Sequence, residues 1–265
     1  MSAFAATGIE GHHAVVTGGG RGIGAVIAET LAAHGAYVTL MGRTASALQE
    51  MAQSLADTLS ASAHTAACDV TNPDDVSRAF ASAVSRFGDV QILINNAGQA
   101  DAGPFRGISL ETWNRLIAVN MTGTFLCMQQ VLPAMVAAGS GRIVNIASTA
   151  GLKGYSRIAA YCAAKHGVVG LTRAVAAETA RTGVTVNAVC PGYTEGTEMF
   201  TTAVDNVMRS KGVPANEART LLARHLPRGT FITPAEVADT VLWLCSPGAS
   251  AITGQAIAPA GGEVM

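Results

Sequence analysis

Charge is scarce in this chain. Only 13% of its 265 residues are Asp, Glu, Lys or Arg, against a usual share of about 25%. So little charge implies a large buried fraction and buried subunit interfaces as well. The 17 basic and 18 acidic side chains leave a net charge of −1, which argues against a surface for nucleic acid or any other polyanion. Paired cysteines are missing too. The five present, Cys68, Cys127, Cys162, Cys190 and Cys245, are odd in number, scattered and without C-x-x-C spacing. That excludes a disulfide framework and fits reduced thiols in a cytoplasmic protein. The six histidines form no metal-ligand pattern, so no metal is expected. His12-His13, at the start of a strand, reads as an edge or packing feature.

Targeting and membrane signals are equally thin. The start, "MSAFAATGIEGHH", has no basic n-region and no long apolar core, so no secretory leader is expected. The longest uncharged run, 116–141, is interrupted by Asn120, Thr122, Thr124, Gln129, Gln130 and Pro133. It predicts a buried helix rather than a membrane span. Repeats, low-complexity tracts and Pro/Gly/Ser linkers are absent, which favours one domain over 1–265.

What the chain does have is a rhythm. Apolar runs at 13–18, 36–42, 64–70, 90–98, 141–148 and 183–192 alternate with helical stretches. The runs show no polar alternation, as parallel strands covered on both faces require. The pattern predicts an α/β fold: a Rossmann-type doubly wound parallel sheet. Residues 193–232 break the rhythm after the sixth strand. They read as two short helices forming a lid or substrate wall, where such sheets bind ligands. A plain surface excursion is the alternative.

"VVTGGGRGIG" joins the first strand to its helix. Gly18, Gly22 and Gly24, with Arg21 and Ile23 between them, form a phosphate-binding turn opening on a helix N-terminus. The spacing is G-x-x-x-G-x-G rather than the common G-x-G-x-x-G. The second strand ends "LMGRT", where an NAD site usually places a carboxylate on the ribose 2′-OH. Here Gly42 and Arg43 stand instead. Arg43, with Arg21 as a second cation, can pair with a 2′-phosphate, so NADP(H) is favoured over NAD(H). If Arg43 is only a solvated helix-start residue, NAD suffices.

"AYCAAKHG" places Tyr161 and Lys165 on one helical face about a turn apart. Ser148 ends the fifth strand, "GRIVNIAS". Taken with the glycine turn, "NNAG" at 95–98, Asn120 in "NRLIAVN" and "PGYT" at 191–194, the chain resembles the short-chain dehydrogenase/reductase family in its one-domain form. The resemblance runs from about residue 12 to 262. "GRIVNIASTAG" and "KHGVVGLT" further resemble 3-oxoacyl reductases and polyketide ketoreductases. One departure is visible: "EGTEM" follows "PGYT", where many relatives carry a proline-containing turn.

The resemblance implies roles. Tyr161 would be general acid in ketone reduction and base in alcohol oxidation. Lys165 would bind the nicotinamide ribose and lower the tyrosine pKa. Ser148 would hydrogen-bond the substrate oxygen, and Asn120 would help hold a water linking Lys165 to solvent. Asp69 and Val70 would contact adenine. Asn95, Asn96, Ala97 and Gly98 would line the cofactor, and Pro191, Gly192 and Thr194 would seat the nicotinamide. The electrostatics agree in size. Bringing a phenol from about 10 to neutral pH takes roughly 4 kcal/mol. One positive charge at about 4 Å, in an effective dielectric of about 20, supplies that much. Cys162, beside Tyr161, has no evident histidine partner and reads as a packing residue.

The expected function is an NADP(H)-dependent carbonyl/secondary-alcohol oxidoreductase. A 3-oxoacyl thioester of the 3-hydroxyacyl-CoA type is the first substrate choice. Met199, Phe200, Val204 and Met208 could wall an acyl chain, and Arg209, Lys211, Arg219 and Arg224 could meet carrier phosphates. An NAD-linked dehydrogenase of cyclic or aryl alcohols is one alternative. A non-catalytic nucleotide-binding regulator on the same fold is another. Helices 116–141 and 158–180 expose more apolar surface than one sheet covers, which predicts a homotetramer.

Overall fold

In the computed structural model, which describes residues 7–224 and 226–264, the unalternating apolar runs form a parallel sheet. Residues 1–6, part of the segment read for a leader, lie outside the described residues, as do His225 and Met265. The strands are β1 (His13–Thr17), β2 (Tyr37–Gly42), β3 (Ala63–Ala67), β4 (Ile92–Asn95), β5 (Gly141–Ile146), β6 (Val184–Val189) and β7 (Ala256–Ile257). Their order across the sheet is β3-β2-β1-β4-β5-β6-β7, and every pair is parallel. The order reverses between β1 and β4, and a crevice opens there at the carboxyl ends of the strands.

Both faces are covered, which explains the missing alternation. Ala14 and Val16 of β1 pack with Ile27 and Leu31 of α1 (Gly22–Ala33), Leu48 and Leu55 of α2 (Ala45–Leu59), and Val237 and Val241 further along the chain. Val15, between them in sequence, packs on the opposite face with Phe80 of α3 (Pro73–Phe87). The α3 start is fixed by Asn72, whose side chain accepts from the amides of Asp74 and Asp75, with Pro73 beside it.

The expected buried helix differs in detail. Residues 110–138 run as α4 (Leu110–Ile117), a π-helical turn (Ala118–Thr122) and α5 (Gly123–Ala138). The stretch is long and apolar enough to cross a membrane by length and composition. Cys127, Met128, Val131 and Met135 pack into the core under the sheet. Phe125 and Val136 face outward, 41% and 40% exposed, so only one side of the helix is buried within the chain. Behind it runs α6 (Ala159–Thr179), where a Cβ added at Gly167 would stand 2.2 Å from the Met121 sulfur. That closeness presses the π-helical turn onto the helix carrying Tyr161 and Lys165.

The break after β6 forms two helices, α7 (Glu198–Lys211) and α8 (Ala215–Ala223). They have their own small core of Phe200, Val204, Ala218, Leu226 and Phe231. Arg219 lies over the Phe200 and Phe231 rings and pairs with Glu195. The chain returns through α9 (Pro234–Cys245), opened by a reciprocal cap between Thr233 and Glu236. The seventh strand was not expected. Two residues long and half-buried, β7 has no apolar run to announce it.

Candidate active site

The site begins where β1 ends. Gly18 turns at φ +65°, and a Cβ there would meet Asn96 Nδ2 at 2.9 Å. Asn96 Nδ2 donates to the main-chain oxygens of Thr17 (3.1 Å) and Gly18 (3.2 Å). The Thr17 hydroxyl accepts from the amides of Asn96 (3.0 Å) and Ala97 (3.1 Å). The "NNAG" loop after β4 thus pins the glycine turn across the crevice. Gly24 packs into this junction: a Cβ would lie 2.3 Å from the Gly18 oxygen. Gly22, at φ +57°, faces open space, its nearest such neighbour being Thr197 Cγ2 at 3.9 Å. Arg21 caps none of the first α1 amides with its side chain, so that helix end is free for an anion.

From the glycine turn one cavity of about 1120 Å³ runs along the strand ends. Gly18, Arg21, Gly22, Ile23, Arg43, Asp69 and Val70 line one end, followed by Asn96, Ala97 and Gly98. Ser148, Tyr161, Lys165, Pro191, Gly192 and Thr194 line the other. No acidic residue stands at Gly42, and Arg43 is exposed at the rim. Burial pushes the Asp69 carboxyl up, but hydrogen bonds from Thr71 and the Arg43 charge outweigh it and hold the group low. The open amides, the glycine turn and the cationic rim fit a dinucleotide with its phosphates at α1.

Three expected residues do not line the cavity. Asn95 is buried in β4, where its Nδ2 donates to Asn145 Oδ1 at 2.9 Å. Gly24 serves the packing just described. Asn120 stands one layer behind, in the π-helical turn. Its Nδ2 donates to the oxygens of Gln99 (2.8 Å) and Leu116 (2.9 Å), and its Oδ1 accepts from the Gln99 amide (3.2 Å). A Cβ added at Gly98 would lie 2.8 Å from Asn120 Oδ1 and 3.5 Å from Lys165 Nζ. Asn120 and Lys165 therefore flank Gly98.

Ser148, Tyr161 and Lys165 converge at the deep end. Ser148 follows β5, and its hydroxyl accepts from the Ala150 amide at 3.1 Å. Lys165 Nζ lies 5.6 Å from the centre of the Tyr161 ring and donates to the Ile146 oxygen at 2.8 Å. Burial pushes the Tyr161 phenol up to about 12, with the Ser148 side chain pulling the other way. Burial also lowers Lys165 to about 8. The expected lowering of the phenol by Lys165 is not present in the protein alone. Burial penalises both charged forms, and the ammonium is tied to β5 rather than to the phenol oxygen.

The lid reaches this centre. Met199 Sδ lies 4.0 Å from the Tyr161 hydroxyl. Met199 and Phe200 line the cavity, whereas Val204 and Met208 belong to the lid's own packing. Of the four lid cations, Arg209 lines the cavity. Gln99 and Asp101 also border it, both held by Arg115, at 3.0 and 2.9 Å. Two aromatic lining residues, Tyr155 and Tyr193, escaped the sequence reading. Tyr155 sits in no recognisable motif, whereas Tyr193 stands inside "PGYT" between residues already expected at the nicotinamide, and the fold brings both to the cavity that Ser148 lines.

Residues 12–207 match the short chain dehydrogenase family model. The chain belongs to the short-chain dehydrogenases. It is 40% identical over 247 residues to 2-(S)-hydroxypropyl-CoM dehydrogenase 3 of Xanthobacter autotrophicus, covering 93% of this chain and 94% of the relative. It is 38% identical over 257 residues to the 3-oxoacyl-[acyl-carrier-protein] reductase FabG of Vibrio cholerae, covering 97% and 99%. A tryptophan variant of the actinorhodin polyketide ketoreductase, solved with NADPH, superposes with a TM-score of 0.92 at 39% identity, covering 95% and 97%. This short-chain dehydrogenase is accordingly an oxidoreductase of the carbonyl/alcohol pair, and the regulator reading falls away.

Proposed function

We propose that this short-chain dehydrogenase is an NADP(H)-dependent reductase of 3-oxoacyl thioesters, interconverting them with 3-hydroxyacyl thioesters of the CoA type. The observation that carries the reading is the single cavity. It joins a cationic nucleotide end, with Arg21 and Arg43, to Ser148, Tyr161 and Lys165 beneath a lid that brings Met199 and Phe200 to it. Bound NADP(H) supplies or accepts the hydride. The rest is the chain's own work. The Ser148 hydroxyl holds the substrate oxygen. Tyr161 gives its proton to that oxygen in reduction and takes it back in oxidation. Lys165 binds the ribose and keeps a positive charge beside the phenol, and Asn120 fixes the Gly98–Gln99 backbone against it. Asp69 and Val70 border the adenine, Asn96 to Gly98 line the cofactor, and Pro191, Gly192 and Thr194 seat the nicotinamide. Met199 and Phe200 offer the acyl chain an apolar wall, with Arg209 placed for a carrier phosphate.

A second reading, a secondary alcohol dehydrogenase on a cyclic or aryl alcohol, is favoured by one observation. Arg219 is spent on Glu195 and two rings, and neither Lys211 nor Arg224 is among the cavity residues. The deciding measurement compares kcat/KM for acetoacetyl-CoA with that for methyl acetoacetate. A higher value for the thioester supports the carrier-bound substrate. An equal or lower value gives the alcohol reading its place.

The same proposal includes a cytoplasmic homotetramer. Five buried, unpaired cysteines suit a reducing compartment. The outward Phe125 and Val136 give α5 an apolar face for a second copy. Light scattering at micromolar concentration tests the assembly, and a monomer overturns it.

A further inference from the structure

Beside the deep end of the cavity lies a carboxylate that the catalytic set does not use. The Glu263 side chain is 6% exposed. The Tyr155 hydroxyl donates to Glu263 Oε1 at 2.5 Å. Lys153 Nζ donates to the Glu263 main-chain oxygen at 3.0 Å and stands 3.6 Å from Oε1. The same ammonium lies 4.9 Å from the centre of the Tyr155 ring. The second oxygen, Oε2, is buried with no hydrogen-bond partner among the described residues. It rests against Gly192: a Cβ there would stand 3.0 Å from it.

These contacts bridge two walls of the site. Tyr155 lines the cavity and packs against the small cluster of Ala150, Tyr161 and Cys162. Gly192 lines it from the turn after β6. The segment carrying Glu263 is itself tied down, since the Gly192 amide donates to the Pro259 oxygen at 3.3 Å and the Glu263 amide to the Ala260 oxygen at 3.1 Å. Burial, and after it Glu263, pushes the phenols of Tyr155 and Tyr193 upward, which keeps both protonated. A half-satisfied buried carboxylate is a poor device for stability. Holding a neighbour in one place is a use that justifies it.

We propose that Glu263 is a positioning residue for the substrate: it locks Tyr155 as a fixed wall of the substrate cavity next to Tyr161 and ties that wall to the Gly192 turn. The proposal rests on the carbonyl/alcohol chemistry of the site and is independent of the thioester choice. With the lock intact, the carbonyl meets Ser148 and Tyr161 against a rigid ring. With it cut, the Tyr155 ring swings out of the wall and the substrate loses that binding surface, while the Ser148, Tyr161 and Lys165 set is untouched.

The test measures kcat and KM on the carbonyl that the wild type reduces fastest among acetoacetyl-CoA, methyl acetoacetate and cyclohexanone. Glu263→Ala and Tyr155→Phe should each raise the carbonyl KM about tenfold, the size expected for one charge-assisted hydrogen bond. kcat should stay within about twofold. The double variant should be no worse than either single one. Glu263→Gln keeps an acceptor oxygen for Tyr155 and should recover most of the KM. A carbonyl KM within twofold of wild type in Tyr155→Phe overturns the proposal. So does a kcat that falls in step with melting temperature and is not recovered by Gln, since that is plain structural damage. If Glu263→Ala does not fold, Tyr155→Phe, which removes one oxygen, decides alone. Preference for the free ketone over acetoacetyl-CoA in the wild type overturns the thioester reading and leaves this test standing.

Discussion

The Lys165 ammonium donates to the main-chain oxygen of Ile146 at 2.8 Å, tying the helix of Tyr161 to the end of the strand that Ser148 follows. One buried charge therefore fixes the distance between the two elements that carry the proton chemistry. It does so at a cost, because burial lowers Lys165 to about 8.

Tyr161→Phe removes the proton donor and keeps the ring in its packed position. kcat should fall by about 10²–10⁴, with NADPH affinity, read by fluorescence titration, unchanged. Near wild-type turnover in this variant would falsify the assignment of Tyr161 as acid and base.

Lys165→Met separates stability from activity. The folded pKa of Lys165 lies below its ordinary value near 10.5, so the unfolded chain holds the proton more tightly between about pH 8 and 10.5. The Lys165 contribution, read as the stability of wild type minus that of the variant, should accordingly rise with pH across that window and be lower below it; the buried cysteines, whose thiols burial pushes up, act the other way in both proteins. The variant, freed of the buried charge, should melt no lower than wild type at pH 7 while turnover collapses. A melting temperature several degrees lower would show that the bond to Ile146 outweighs the desolvation.

Arg43→Asp replaces attraction by repulsion where a 2′-phosphate would sit. kcat/KM with NADPH should drop about tenfold or more, and the value with NADH should hold or rise. If the wild type already prefers NADH tenfold, the cationic rim is not a 2′-phosphate site.

His13 makes stability sensitive to acid far from the active site. Its ring is buried between the Gly88 oxygen at 2.8 Å and the Thr39 hydroxyl at 2.9 Å. Desolvation lowers its pKa, with a contact to Gly88 opposing and the His64 charge adding. His12 and His64 are lowered as well, chiefly by burial. Each folded value lies below the ordinary one near 6.5, so the unfolded chain binds more protons as pH falls. Urea midpoints should be level between about pH 7 and 8 and decline below about 6.5. His13→Asn should soften that decline; an unchanged slope would remove His13 from the account.

The sequence by itself determined the sheet, the glycine turn and the chemistry-bearing residues. These are local features. Unalternating apolar runs specify parallel strands covered on both sides, and Gly18 and Gly22 mark backbone that other residues rarely adopt. The spacing of Tyr161 and Lys165 fixes a shared helical face wherever that helix lies. Other features depend on segments distant in the chain, and only the tertiary structure decided them. Asn95 carries the same amide as Asn96, yet β4 turns it into the sheet toward Asn145 while Asn96 pins the turn. Of four lid cations, packing against Phe200 and Phe231 took Arg219 away from the cavity and left Arg209 on it. The β7 strand is too short to show a pattern and exists because β6 offers it an edge. Tyr155 and Glu263 lie in different parts of the chain, and neither has meaning until the fold puts a phenol and a carboxylate within hydrogen-bonding distance. The phenol pKa is the sharpest case. Spacing supplied the lysine, but burial, which no spacing encodes, moved both groups against their charged forms.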